Sequence, residues 1–327
     1  MAQTNILLEA GTNELEIVEF YLEEKPQSED ESTYKGYYGV NVAKVLEIIR
    51  MPKITALPEV NHPSVLGAFN QRSRIIPIVD LSVWLGKQRI EQEPPKVIVT
   101  EFNNVTTAFM VTGVTRIHRI SWENVESPNN YMASVSSNSI TGVVKLEGRI
   151  VFLLDLEKIV ADLNPALGLK LDEAIDWASE RRFRALVAED SGLIRAMLKD
   201  LLQKANFEVE AFTNGRDCWE KLKSIKEVAE SENKKIYDYV QVVVSDIEMP
   251  RMDGHNLTKR IKEDSLLKDL PVILFSSIIT DKLRHKGVSV GADDQVSKPE
   301  VTRLAQRAKV LIEAMLGDKI GPSGLKK

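Results

Sequence analysis

Residues that build metal–sulfur sites and disulfides are scarce in this sequence. Its 327 residues include one cysteine, Cys218, and four histidines. One cysteine excludes an internal disulfide, and it excludes a four-thiolate zinc site or an iron–sulfur cluster within the chain. The histidines are spread along the sequence, and no two have the spacing of metal ligands. The sequence therefore gives no sign of a thiolate or histidine metal site.

An excess of positive charge and long apolar runs are lacking as well. The 43 Lys and Arg against 48 Asp and Glu give a net charge of −5, so no overall charge attracts nucleic acid or anionic lipid. No uninterrupted apolar run approaches the ~20 residues of a membrane span. The acidic amino-terminal stretch lacks the basic-then-apolar order of a secretion signal. We expect a cytoplasmic protein that neither binds nucleic acid nor inserts into a membrane.

The chain is long enough for about two domains of ~150 residues each. Between residues 15 and 160 it contains mostly short β-type runs, such as RIIPIVDL and KVIVTEF, separated by Gly, Asn, Pro and charged clusters. This spacing is typical of an antiparallel barrel or sandwich. One stretch, residues 42–49, has apolar residues at i, i+3, i+4 and i+7 and predicts a short amphipathic helix. The first half is predicted to be an all-β domain.

The pattern changes after residue 162. A break containing Pro and Gly is followed by LDEAIDWASERR, which predicts a linker helix within residues 163–182. From residue 183 onward, strand-type and helix-type segments alternate five times. That alternation predicts an α/β domain whose parallel sheet is covered by helices on both faces.

Polar side chains follow four of the predicted strands in this second half. Glu189 and Asp190 follow the first strand, and Asp246 follows a strongly β-branched one. Ser276 and Lys298 follow two later strands. The carboxyl ends of parallel strands meet at one edge of the sheet, so these groups should lie together. Three carboxylates in one cleft repel each other unless a hard cation neutralises them, and oxygen ligands with open coordination positions suit Mg²⁺.

These features predict a magnesium-dependent phosphoryl site. One carboxylate in such a site can act as a nucleophile and form an aspartyl phosphate. Asp246 is the best candidate because it ends the most hydrophobic strand, which should be the central one. The metal, the Lys298 ammonium and the Ser276 hydroxyl would then stabilise charge on the phosphoryl oxygens.

The motifs at these positions are ED, SDIEMPRMDG, FSS and SKP, and together they resemble the receiver domain of response regulators over residues 183–318. The resemblance implies a flavodoxin-like doubly wound sheet and phosphorylation on Asp246. It also implies a set of surrounding residues: magnesium held by Asp190, Asp246 and the main-chain carbonyl of Glu248, with Glu189 acting through water, and phosphoryl contacts from Lys298 and Ser276.

One position departs from the receiver pattern. Three residues before the lysine many receivers carry an aromatic switch residue, whereas this chain has Gln295. We therefore expect the usual hydroxyl-to-aromatic coupling to be absent. The signal should leave the site by another route, toward the linker and the first domain.

Two stretches of the first half, GAFNQRSRIIPIVDLSVWLG at 67–86 and ITGVVKLEGRIVFLLDLEKIV at 140–160, resemble the CheW coupling proteins. The resemblance covers residues 14–162 and implies a pair of small β-barrels. It implies docking to the cytoplasmic tips of chemoreceptors and to the regulatory domain of the histidine kinase CheA. Arg72 is the candidate for the receptor-facing surface, although pairing with a local carboxylate explains it equally well. Ser73 stands where the family usually has Gly, and Asp80 is interpreted as a turn or hydrogen-bond anchor.

A CheW-like half followed by a receiver half is similar to the CheV family of chemotaxis proteins. The hypothesis is an adaptor that couples receptors to CheA at membrane receptor arrays and is modulated by self-catalysed phosphorylation of Asp246, without enzymatic turnover. A phosphate sink for CheA is the alternative.

Two rivals come from other classes. A transcriptional regulator needs a basic recognition helix, which this acidic, β-rich first half does not predict. A phosphatase of the haloacid dehalogenase type needs a second Asp two residues after the nucleophile, where this chain has Glu248.

Overall fold

A computed structural model describes residues 12–24, 33–60, 62–87, 94–102, 105–128, 139–163, 181–277 and 281–319. The chain divides into two compact units. One comprises residues 15–168, and the other comprises residues 169–327 together with residues 1–14. The linker helix predicted within residues 163–182 lies almost entirely outside the described residues.

The unit of residues 15–168 is built from β-strands. In its described part the strands are β1 (Glu14–Glu24), β2 (Tyr34–Asn41), β3 (Val45–Arg50), β4 (Val65–Gln71), β5 (Arg74–Asp80), β6 (Lys96–Phe102), β7 (Val105–Val111), β8 (Gly113–Ser121), β9 (Ile140–Leu146) and β10 (Arg149–Leu154). Two short helices, α1 (Leu81–Trp84) and α2 (Leu156–Leu163), follow β5 and β10. The strands form two five-stranded sheets, with orders β8-β1-β2-β10-β9 and β3-β6-β7-β5-β4.

Each of these sheets has its own apolar core. Ile17 and Val151 are fully buried against one sheet, and Ile78 and Val97 are fully buried against the other. Most neighbouring strands are antiparallel, but β2 with β10 and β5 with β7 are parallel pairs. The predicted all-β class of the first half is confirmed.

The prediction of an amphipathic helix at residues 42–49 is wrong. Residues Val42–Lys44 form one 3-10 turn, and the chain then continues as β3. β3 pairs with β6, with Ile48 opposite Ile98, and β-branched residues favour such a pleated strand. Leu46 and Ile48 are 53% and 41% exposed. Apolar residues on both faces of a strand reproduce the spacing of an amphipathic helix, which explains the error.

The unit containing residues 169–327 has an alternating α/β order. Its strands are β11 (Phe183–Ala188), β12 (Phe207–Phe212), β13 (Val242–Asp246), β14 (Val272–Ser276) and β15 (Asp294–Ser297). Its helices in the described part are α3 (Gly192–Lys204), α4 (Gly215–Ser231), α5 (Gly254–Glu263), α6 (Asp281–Ser289) and α7 (Leu304–Lys319).

All neighbouring strands in this sheet are parallel, in the order β12-β11-β13-β14-β15. β13 is the middle strand, and each of its residues is buried. Successive β11 residues contribute to two different cores, since Val187 packs with α3 and α7 residues while Leu186 packs with α4 and α5 residues. Both faces of the sheet are therefore covered, as predicted for a doubly wound fold.

Candidate functional site

Three carboxylates meet at the carboxyl end of the parallel sheet. Asp246 is the last residue of β13, and Glu189 and Asp190 directly follow β11, its neighbour. One carboxylate oxygen from each of the three lies within 4.8 Å of the others. The sheet thus joins residues that are more than fifty positions apart in the sequence, as the order of strands predicted.

One ammonium group is shared within this cluster. Lys298 directly follows β15, and its Nζ lies 3.3 Å from Asp246 Oδ2 and 3.4 Å from Glu189 Oε2. The Lys298 side chain is mostly buried, so its charge is only weakly screened by water. Within the described residues of this cluster, three carboxyl groups face one ammonium group, and the excess of negative charge favours binding of a further cation.

Glu189 is the most deeply buried of the three acids, with its side chain fully shielded from solvent. Burial raises the pKa of Glu189 to about 7, and the nearby charge of Asp190 acts in the same direction, while Lys298 opposes it. The Ser191 N–H donates to Oε1, and Oε2 faces the Lys298 ammonium at 3.4 Å with no further donor among the described residues. A buried donor set made only of carboxylate oxygens fits a hard divalent cation.

The carboxylate of Asp246 is held by its own loop. The Ile247 N–H donates to Oδ1 over 2.8 Å, and the Ser245 hydroxyl donates to the Asp246 carbonyl over 2.8 Å. Gly254, at the start of α5, lies so close that a Cβ there would overlap that carbonyl oxygen. The loop between β13 and α5 therefore passes directly over the main chain of Asp246, and this close approach requires glycine.

Ser276 and Glu248 lie on segments beside the carboxylates. Ser276 ends β14 and is buried, and the preceding Phe275 is paired with Asp246 across the two strands. Glu248 is half-buried in the loop that follows Asp246. The described contacts thus bring together four of the predicted residues, namely Glu189, Asp190, Asp246 and Lys298. Ser276 and Glu248 lie on adjoining segments.

Arg195 was not predicted as a site residue. It lies in the first turns of α3, and its Nη1 donates to the carbonyls of Glu189 and Asp190 over 2.8 and 3.1 Å. The guanidinium group therefore fixes the turn that presents both acids. A basic residue shortly after an acidic pair at a helix start was the available sequence signal.

Gln295 forms a fixed contact with α6. Its side chain is buried, and its Nε2 donates to the Arg284 carbonyl over 2.8 Å. A Cβ at Gly287 would overlap the carboxamide, so the glycine leaves a notch that Gln295 fills. The side chain at this position is anchored to the helix by a hydrogen bond, which differs from a freely rotating aromatic ring.

Arg72 lies in the other unit, in the two-residue turn between β4 and β5. Arg72 and Ser73 have φ of 48° and 67°, the left-handed pair of a tight hairpin turn. Arg72 is exposed, and no described carboxylate forms an ion pair with it. Ile75 on the same hairpin is 80% exposed. Asp80 anchors a turn as predicted, since its Oδ1 accepts from the Ser82 and Val83 N–H groups at the start of α1.

Comparison with known proteins places these two units in known families. The profile of the CheW-like domain matches residues 31–164, and that of the response regulator receiver domain matches residues 185–309. The chemotaxis protein CheV3 of Helicobacter pylori is 33% identical over 92% of this chain and 96% of the relative. The chain belongs to the CheV family of chemotaxis proteins. CheV2 of the same organism is 28% identical over 83% of this chain and 88% of that protein.

Membership in the CheV family makes the chain a chemotaxis signalling protein that combines a coupling domain with a receiver domain. A similar solved structure is that of the scaffolding protein TtCheW from Thermoanaerobacter tengcongensis, with 22% identity, a TM-score of 0.37, and coverage of 43% of this chain and 88% of that chain. None of the helices in the described ranges combines the length and low charge that a bilayer-spanning segment requires.

Proposed function

We propose that this CheV-family protein couples chemoreceptors to the histidine kinase CheA and that phosphorylation of Asp246 modulates the coupling. The observation that carries the proposal is the cluster of three carboxylates and the Lys298 ammonium at the ends of three parallel strands. The protein would act in the cytoplasm, recruited to membrane receptor arrays. Similarity to CheV relatives over most of the chain favours this adaptor over the phosphate-sink alternative.

Asp246 would supply the nucleophile. A carboxylate oxygen of Asp246 attacks the phosphorus of a phosphohistidine on the kinase, the P–N bond breaks, and the imidazole leaves with a proton from solvent. Lys298, whose Nζ lies 3.3 Å from Asp246 Oδ2, would bind an oxygen of the arriving phosphoryl group. The Ser276 hydroxyl, at the end of the adjacent strand, would donate to another.

Magnesium is the cation that fits the donor set. Asp190, Asp246 and the main-chain carbonyl of Glu248 would hold it, with Glu189 acting through water. When bound, Mg²⁺ neutralises charge on the phosphoryl oxygens. Arg195 would keep the two acids after β11 in place through their carbonyl groups.

Transfer of label from phosphorylated CheA in the presence of Mg²⁺ tests Asp246 as acceptor. The wild-type chain should acquire label that hydroxylamine releases, as expected of an acyl phosphate. Asp246→Asn should remove it, and so should chelation of the metal. Asp200→Asn is the matched control, because Asp200 is half-exposed and its ion-pair partner among the described residues is Lys204 on α3. Undiminished labelling of Asp246→Asn would contradict the proposal.

Arg72 is proposed to face the receptor in the coupling unit. Its support is exposure at a tight turn beside the exposed Ile75, together with the lack of a described carboxylate partner. Pull-down with receptor fragments and CheA should weaken for Arg72→Ala. Arg116→Ala, at an exposed pair with Glu147 on the other sheet, should leave binding unchanged. Repeating both with beryllofluoride as phosphoryl mimic tests the modulation, and indifference to the mimic would support the sink instead.

A further inference from the structure

Asn13, directly before β1, contacts the loop that follows β13. Its Nδ2 donates to the Arg251 carbonyl over 3.1 Å, and its Oδ1 accepts from the Asp253 N–H over 3.0 Å. Asn13 thus forms two hydrogen bonds with a backbone about 240 positions away. Asn13 is 7% exposed and belongs to the same compact unit as this loop. The contact is therefore part of the receiver unit itself.

The loop that Asn13 holds is tightly constrained on its other sides. The Gly254 N–H donates to the Ile247 carbonyl over 2.9 Å, and Gly254 lies against the main chain of Asp246. The Gly215 N–H donates to the Met252 carbonyl over 3.2 Å, and a Cβ at Gly215 would lie 2.6 Å from that oxygen. The segment between Arg251 and Gly254 therefore has little freedom to move independently of Asn13 or Asp246.

Asparagine suits the backbone at position 13. Its φ is 61°, a left-handed conformation that asparagine and glycine adopt at lower cost than other residues. The carboxamide presents one donor and one acceptor side by side, which matches the carbonyl of Arg251 and the N–H of Asp253. Asn13 directly precedes β1, the first strand of the coupling domain.

We propose that Asn13 is a positioning residue for the Arg251–Asp253 loop and that it connects the state of Asp246 to the start of β1. The second part rests on the proposed phosphorylation of Asp246. Any displacement of the Arg251–Asp253 backbone either carries Asn13 and the start of β1 with it or breaks two buried hydrogen bonds. Either response alters the restraint on Asn13, the residue directly before β1, and this route does not use Gln295.

Hydrogen exchange of single amides in the full chain tests the positioning role. In Asn13→Gly the left-handed backbone is retained and both side-chain hydrogen bonds are lost, so the Asp253 amide should exchange at least about fivefold faster. Asn13→Asp offers a second variant, because it places an oxygen against the Arg251 carbonyl. Asn233→Gly is the matched control, since Asn233 is an exposed asparagine with φ of 52°. Unchanged Asp253 exchange in both Asn13 variants would overturn the proposal.

The same measurement with Mg²⁺ and beryllofluoride tests the connection to β1. In the wild-type chain the mimic should change exchange of the Leu15 and Ile17 amides about threefold or more, and this response should vanish in Asn13→Gly. A response at β1 that persists in both Asn13 variants would refute the connection. If beryllofluoride alters no exchange rate within residues 246–254 of the wild-type chain, the proposed phosphorylation fails and the connection with it. The resting-state comparison at Asp253 would still decide the positioning role.

Discussion

The receiver unit and the coupling unit carry their proposed functional residues in opposite environments. At the end of β13 the charged groups of Asp246, Glu189 and Lys298 are buried and contact each other. At the β4–β5 turn Arg72 and Ile75 are exposed and extend toward solvent. Buried charge is costly unless it is paired or serves a purpose, so the first arrangement indicates chemistry. Exposed side chains such as those at the turn indicate a function only when a binding partner is known.

This difference predicts that a substitution beside the buried acidic cluster lowers the stability of the receiver unit. Gly254→Ala introduces a methyl group that overlaps the Asp246 carbonyl, and it should destabilise the receiver unit by about 3 kcal/mol. Urea unfolding followed at the helix band of circular dichroism measures this loss. Gly317→Ala on α7, where a Cβ meets nothing within 4 Å, should be neutral or slightly stabilising. Equal effects of the two substitutions would remove the close approach as a constraint.

A buried histidine next to the site predicts a pH effect confined to the receiver unit. Burial lowers the pKa of His255 to about 4 from its ordinary 6.5, and Lys286 acts in the same direction. Because the folded-state pKa is the lower one, the neutral ring contributes stability above about pH 6.5, and this stability is lost as the pH falls toward 4.

Between pH 7 and 4 the wild-type chain should lose about 2 kcal/mol more unfolding free energy than His255→Gln. Burial raises the pKa values of Glu189 and Asp253 to about 7, so both acids act in the opposite direction. They are present in both proteins, and the difference isolates His255. Parallel pH profiles in urea titrations would contradict the prediction.

Arg195 tests whether the acidic cluster needs support from outside. Arg195→Met removes the donor to the Glu189 and Asp190 carbonyls, and Mg²⁺ affinity should fall about tenfold, the range expected when a residue supporting the ligands is lost. Isothermal titration calorimetry measures the affinity. Lys204→Met removes the same charge from an exposed position on the same helix, and it should change the Mg²⁺ affinity little.

The smallest effect is expected at the coupling turn. Ser73 has φ of 67°, and Ser73→Gly should relieve this strain and stabilise the coupling unit by about 0.5 kcal/mol. Scanning calorimetry should show the change in the transition of that unit alone, with Mg²⁺ binding unaltered. A loss of stability would show that the Ser73 side chain contributes more than its backbone conformation costs.

The residues of the acidic cluster were predictable because parallel strands obey a strong geometric rule. Once β11, β13, β14 and β15 are recognised, their carboxyl ends must share one edge of the sheet. The identities of Asp246 and Lys298 then led to the proposed phosphoryl chemistry without any knowledge of distances. The change from β-type runs to alternating strands and helices was also predictable, because it is visible in the local periodicity of apolar residues.

Other features depend on contacts that local sequence does not encode. Residues 42–49 have a helical apolar spacing, yet pairing of Val45–Arg50 with β6 makes them a strand. The carboxamide of Gln295 fits a notch at Gly287 that exists only when α6 packs beside β15. The contact of Asn13 with the Arg251–Asp253 backbone joins residues about 240 positions apart. Apolar periodicity and the order of strands along the chain depend on neighbouring residues, so they can be predicted from the sequence. These contacts depend on packing between distant segments, so only the tertiary structure determines them.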